Sequence, residues 1–195
     1  MYEYRLKLIR SNRKTILLKI DRDLSVTVNA PRYISKTELD RFIESKSGWI
    51  QKHLELAKRA RAESESINFN SQILSELKKQ ASAVLPERVG YYAAVLNVKY
   101  SKLTVRLNIS NWGSCSSKGN LNLNALLMLM PPEVIDYVVV HELCHRLFMN
   151  HSPKFWSAVS TVLPDCDKSR KYLAENGGKY ITALRNFKQT EQLKM

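Results

Sequence analysis

The segment VIDYVVVHELCHRLFM, residues 134–149, constrains the fold of this 195-residue chain more than any other. Its first half is apolar and β-branched enough to be a buried strand. His141 and His145 decide otherwise, because they stand four apart and only a helix brings residues at that spacing onto one face. Pro131, Pro132 and Glu133 ahead of it suit a helix start, since proline is tolerated in the first turn and a carboxylate there meets the positive end of the helix dipole.

HELCH is an H-E-x-x-H pattern, in which two imidazoles one turn apart can both reach a zinc ion at about 2.0 to 2.1 Å. Glu142 follows the first histidine and points to the flank of the metal. A carboxylate there can hold the attacking water, take its proton and pass it to the leaving group. Zinc brings such a water to a pKa of about 7, so no serine or cysteine nucleophile is needed. A catalytic zinc keeps three protein ligands and one open position, and His151 is the obvious third. It lies six residues beyond His145, so the chain has to bend between them. Asn150, tolerant of a left-handed backbone, is the expected bend, with Ser152 capping a new helix and Pro153 in its first turn. Asp165, Asp167 or Glu175 is the competing third ligand. Three of the four histidines thus fall within eleven residues, and one catalytic zinc ion is expected there; the fourth, His53, reads as an ordinary residue of an N-terminal helix.

The flanking chain alternates between two periods. Tyr4, Leu6 and Leu8, then TILLKI, then Val26 and Val28 predict three short strands in an antiparallel meander. Ser35 and Glu38 form a capping box that opens a helix with Leu39, Phe42, Ile43, Trp49, Ile50 and Leu54 on its apolar face, fading around residues 58–62. ESESINFN, residues 63–70, is polar and aperiodic and predicts a hinge, giving a lobe at 1–65 and a second domain at 66–195. A helix from Ser71 is expected to be interrupted at Pro86. Val105, Leu107 and Ile109, with Leu121 and Leu123 after the turn residues of WGSCSSKGN, predict an antiparallel hairpin. After the histidines come a helix with Phe155, Trp156, Val159 and Val162 inward, a short helix ending at Asn176 to Gly178, and a frayed last dozen residues.

Composition closes off several classes. With 44% hydrophobic residues and only six glycines and six prolines, the chain is neither collagen-like nor wholly disordered. The N-terminus interleaves charge with apolar residues, and the longest apolar stretch, Ala125 to Pro132, falls far short of the roughly 20 residues of a membrane span. Three cysteines without a CxxC pair suggest neither a disulfide framework nor a zinc ribbon and fit a reducing, cytoplasmic setting. The excess of 31 Lys+Arg over 18 Asp+Glu, a net charge of +13, attracts anions without choosing among nucleotide, nucleic acid and acidic peptide.

The runs NWGSCSSKGNLNLN, IDYVVVHELCH and NHSPKFW, together with RSNRKTILLKIDRDLSVTVNAP and ISKTELDRFIESKSGWIQKHL, resemble the YgjP-like family of metal-dependent hydrolases, with distant similarity to the SprT and WLM metallopeptidases. The likeness covers nearly the whole chain. It implies an α+β fold: a zincin-like domain with the HExxH helix under a small antiparallel sheet, preceded by a small β-rich N-terminal lobe. It also implies His141, His145 and His151 as zinc ligands and Glu142 as the catalytic acid/base. The family's arginine before WGSC is replaced here by Asn111, and Phe148 stands where metzincins carry glycine.

A sheet edge beside the metal can pair with an extended peptide. Trp112 to Ser116 is the expected rim, with Trp112, Ser114 and Asn122 as substrate-binding candidates, against the plainer reading of Trp112 as core and the serines as turn residues. Cys115 and Cys144 read as packing residues, and Arg146, Tyr172 and Tyr180 as candidates for stabilising an oxyanion. The expected function is a zinc-dependent hydrolase, first of all a metallopeptidase. The resemblance also carries an alternative, a UTP pyrophosphatase acting on nucleotides, and the basic charge a third, a nucleic-acid-binding module with a structural metal.

Overall fold

The computed structural model describes residues 4–193, and the chain divides into two compact units, Met1–Ala62 and Glu63–Met195. The class is mixed α+β. Among the described residues no helix is long and apolar enough to cross a membrane.

In the first unit, β1 (Leu6–Ser11), β2 (Leu17–Ile20) and β3 (Val26–Pro31) form a sheet in the order β1-β3-β2. The expected antiparallel meander is corrected here: β2 is antiparallel to β3, but β1 runs parallel to it. β3 takes the centre because it is the most completely buried strand, with Val26, Val28 and Ala30 at 0% exposure, and the central position pairs its backbone on both sides. Against this face pack Leu39 and Ile43 of α1 (Lys36–Ser45) and Ile50 and Leu54 of α2 (Ser47–Ser64). The capping box opens α1 as expected: the Glu38 amide donates to Ser35 Oγ at 3.2 Å and the Ser35 amide to Glu38 Oε2 at 3.0 Å. The single predicted helix is two, since Lys46 leaves helical geometry at φ −106° and ψ 6°.

The second unit opens with α3 (Ser71–Val95), capped by Asn70 Oδ1 on the Ile73 amide at 2.8 Å. Pro86 lies inside α3 and does not interrupt it. Both Pro86 and Ser82, whose carbonyl loses its helical donor, are exposed, so water can serve that carbonyl. Next come β4 (Lys102–Arg106), β5 (Gly113–Cys115) and β6 (Asn120–Asn124), in the order β4-β6-β5. The hairpin is β5–β6, closed by Ser116 to Gly119 with Gly119 at φ +81°, whereas β4 runs parallel to β6. The sheet is therefore mixed, not antiparallel. Residues 107–109 leave it because other groups take their backbone: the buried Asn124 amide donates to Asn108 O at 2.8 Å and Asn111 O at 2.9 Å, Lys188 to Leu107 O at 2.9 Å, and Arg185 to Ile109 O at 2.7 Å. Those two cations sit on α7 (Gly178–Gln192), so the expected frayed tail is helical through Gln192, with Leu184 at 0% exposure; the last two residues lie outside the described ones.

A 3₁₀ turn (Ala125–Leu129) leads into α4 (Pro132–Cys144), followed by α5 (Pro153–Val162) and α6 (Cys166–Asn176). Nine of the thirteen residues of α4 are buried, which accounts for its apolar, β-branched sequence: it is wrapped by α3, α5, α6 and the β5–β6 hairpin. Arg88 on α3 donates to the Asp136 carboxylate on α4 and ties the two helices together.

Candidate metal centre

α4 carries HELCH at its C-terminal end, and its last turn tightens as it stops. Arg146 donates its amide to Leu143 O at 2.9 Å and Phe148 to Cys144 O at 2.9 Å. His145, the C-cap residue, keeps α-helical backbone angles, so both imidazoles remain on one face. The chain then turns back without a left-handed residue at Asn150: among the described residues the non-glycines with positive φ are Leu24 and Asn97. Asn150 instead accepts the Ser152 amide on Oδ1 at 3.3 Å. Ser152 is the N-cap of α5 and Pro153 its first residue, though the Ser152 hydroxyl accepts no cap bond.

This turn brings His151 to the face of α4. His141 Nε2 and His151 Nε2 are 3.0 Å apart, and one nitrogen from each of His141, His145 and His151 lies within 4.8 Å of the others. Asp165, Asp167 and Glu175 are not in that group, and Asp165 and Asp167 pair with Lys168 and Arg170 one turn on. Phe155, at 0% exposure, floors the cluster with ring centroids 4.9, 4.8 and 4.7 Å from the three imidazoles, and Trp156 stacks on His151 at 5.7 Å. In the sequence both aromatics belong to the apolar stripe of one helix. Phe155 and Trp156 follow His151 by four and five residues, which brings the first turn of α5 against that ligand.

Electrostatics fit a cation site. Burial, then the neighbouring His145 and His151, hold His141 down at about 4, and burial followed by His145 lowers His151 as well. The two are therefore uncharged at neutral pH, with lone pairs available to a metal. His145 Nδ1 lies 3.1 Å from Phe148 O, which suits an Nδ1–H donor and leaves Nε2 free. A tetrahedral ion held at about 2.1 Å keeps its nitrogen ligands about 3.4 Å apart, close to the 3.0 Å between His141 and His151. The donor set thus suits zinc.

Glu142 is 7% exposed, and burial alone pushes its carboxyl up to about 7. It shares an open cleft of about 380 Å³ with Gly113, Ser114, Cys115, Met149 and the three histidines. Ser114 borders this cleft, while Trp112 and Asn122 do not. Asn122 lies behind Ser114, donating to its Oγ at 3.2 Å, and Trp112 packs into the core against Gly177 at the α6–α7 corner. Arg146 is spent on backbone, its guanidinium donating to Lys99 O at 3.0 Å and Ser117 O at 2.9 Å. Neither it nor Tyr172 nor Tyr180 borders the cleft. Cys144 is fully buried, Cys115 is half-buried at the rim, and His53 stacks on Trp49 in the other unit. Gly113, inside the expected Trp112–Ser116 rim, and Met149 complete the lining.

The edge strand β5 is the wall of this cleft. Trp112 O accepts the Asn124 amide at 2.9 Å, and the Ser116 amide donates to Asn120 O at 3.0 Å. By antiparallel alternation the backbone groups of Gly113 and Cys115 point outward, away from β6.

The model of the YgjP-like family, metallopeptidase domain, matches residues 14–75 and 60–176. No curated protein matches the sequence. Two crystal structures of metallopeptidase zymogens are similar. Abylysin of Pyrococcus abyssi is 19% identical, with 48% of this chain and 96% of that chain covered and a TM-score of 0.44. Jannalysin of Methanocaldococcus jannaschii is 22% identical, with 45% and 91% covered and a TM-score of 0.41. The family match runs through the edge strand, the HExxH helix and the turn that returns His151, and the chain belongs to the YgjP-like family, its histidine-bearing part being a metallopeptidase domain.

Proposed function

We propose that this domain hydrolyses peptide bonds with one zinc ion held by His141, His145 and His151, and with Glu142 as general base and then general acid. The observation that carries the reading is the convergence of three imidazoles and one buried carboxylate on a single open cleft bordered by a free strand edge. Zinc bound there supplies Lewis-acid polarisation of a carbonyl and lowers the pKa of water to about 7. The protein's own groups do the rest. An extended peptide pairs with the outward N–H and C=O groups of Gly113 and Cys115, which lays its backbone along the cleft. Glu142, buried beside the three histidines on the same cleft, is placed to accept a proton from water on its carboxylate and return it to the departing amide nitrogen. Phe155 closes the floor beneath the histidines and keeps bulk water from reaching them from that side. Ser114 lines the substrate path. Trp112 and Asn122 act behind it, by holding β5. The three free cysteines, two of them buried, suit a reducing compartment, and the cytoplasm is part of the same proposal.

The test is hydrolysis by zinc-loaded protein of unstructured peptides and of nucleoside triphosphates side by side, with Glu142→Gln prepared identically. Peptide cleavage that disappears in the variant supports the reading. Triphosphate cleavage that disappears instead would replace it with a nucleotide hydrolase, and equal activity in both proteins would remove Glu142 from the chemistry.

A further inference from the structure

β5 crosses Glu142 at a residue with no side chain. A Cβ built on Gly113 would lie 2.6 Å from Glu142 Cγ, 2.7 Å from Oε1 and 2.9 Å from Cδ, where ordinary contacts begin at 3.4 Å. Gly113 does not need its backbone freedom: among the described residues the glycine with positive φ is Gly119. Space is the reason for glycine here.

The backbone on each side of this contact is held in place. On one side, Glu142 sits in a helix whose next two residues, Leu143 and Cys144, are fully buried. On the other, β5 is pinned one residue earlier. Trp112 O accepts the Asn124 amide at 2.9 Å, and its indole lies so close to the α6–α7 corner that a Cβ on Gly177 would come within 2.7 Å of Trp112 Cζ2. The strand is thus held down on the carboxylate from above while α4 supports it from below.

We propose that Gly113 is a positioning residue for Glu142: its missing side chain lets the edge strand close over the shaft of the glutamate and sets where the carboxylate stands between the histidines and the strand edge. The catalytic meaning of that position rests on the role given to Glu142 above; the steric contact does not. An added methyl must push strand and carboxylate apart by about 1 Å to restore ordinary contact, a displacement that costs about 100-fold in rate when it separates a catalytic group from its reacting partner.

Gly113→Ala should be made in three backgrounds: wild type, Glu142→Gln, which keeps every clashing atom, and Glu142→Ala, which removes them. Urea denaturation of the metal-free proteins should show the midpoint lowered by Gly113→Ala in the first two backgrounds and unchanged in the third. If Gly113→Ala alone fails to fold, recovery of folding by the added Glu142→Ala reports the same coupling. Zinc stoichiometry should stay at one in Gly113→Ala, and kcat for a cleaved peptide should fall about 100-fold with KM little changed. Equal destabilisation in all three backgrounds overturns the contact, and a wild-type kcat in Gly113→Ala overturns its role. If the wild-type protein cleaves nothing, the peptidase reading fails by itself while the stability coupling still decides the contact.

Discussion

Glu142→Gln separates what the carboxylate does from what it costs. In the metal-free protein its pKa is raised from 4.5 to about 7 by burial, so the folded state binds a proton more tightly than the unfolded one. Between those values folding takes up a proton, and stability is lost as pH rises from 4.5 to 7, because the ionised form is disfavoured in the buried cleft. Each pKa unit corresponds to about 1.36 kcal/mol, which makes the cost of the ionised group about 3 kcal/mol above pH 7. Glutamine keeps the shape of the protonated acid and never ionises. The chelator-treated variant should therefore match the wild type below pH 4.5 and exceed it by about 3 kcal/mol at pH 8, roughly 10 °C in Tm for a chain of this size. His141 acts in the opposite sense. Its pKa is lowered from 6.5 to about 4, so stability falls as pH drops through that window. In the wild type the Glu142 slope opposes the histidine slope, to which the lowered His151 adds, whereas the variant should show the histidine slope alone. Thermal unfolding of both proteins from pH 4 to pH 8 in chelator reads this directly. A difference that is constant with pH, or one that vanishes at pH 8, would refute the claim that Glu142 is buried without a compensating partner.

Three further outcomes follow from particular contacts. Zinc at 100 times its Kd should stabilise the wild type by about 2.7 kcal/mol, and His151→Ala should abolish most of that gain in a thermal-shift titration while leaving the metal-free melt nearly unchanged. Asn124→Ala removes a buried carboxamide that accepts the Leu126 amide at 3.2 Å and donates to Asn108 O and Asn111 O, and should cost about 3 kcal/mol in urea denaturation through the backbone groups left unpaired. Pro86→Ala should stabilise the protein by about 2 kcal/mol, because Pro86 is exposed within α3 and the lost amide bond returns, partly offset by a freer unfolded chain; an unchanged urea midpoint would contradict it.

Much of this protein is local and therefore legible in its amino acids. The i, i+4 spacing of His141 and His145, the capping box at Ser35 and Glu38, the start of α3 at Ser71 and the Ser152-Pro153 start of α5 are each set within one or two helical turns, where periodicity and side-chain chemistry act directly. What escaped is nonlocal. Alternation marks β1, β4 and β6 as strands but is the same for parallel and antiparallel neighbours, so the pairing of β1 with β3 and of β4 with β6 was decided by which strand could bury both flanks. The C-terminal residues read as polar and frayed because the carbonyls that Arg185 and Lys188 serve lie some eighty positions earlier. The donors of the metal centre could be named from an eleven-residue stretch. That Phe155 floors it, that Trp112 braces the strand from behind and that Gly113 leaves room for Glu142 depend on the separation of segments brought together by folding, a distance no single segment encodes.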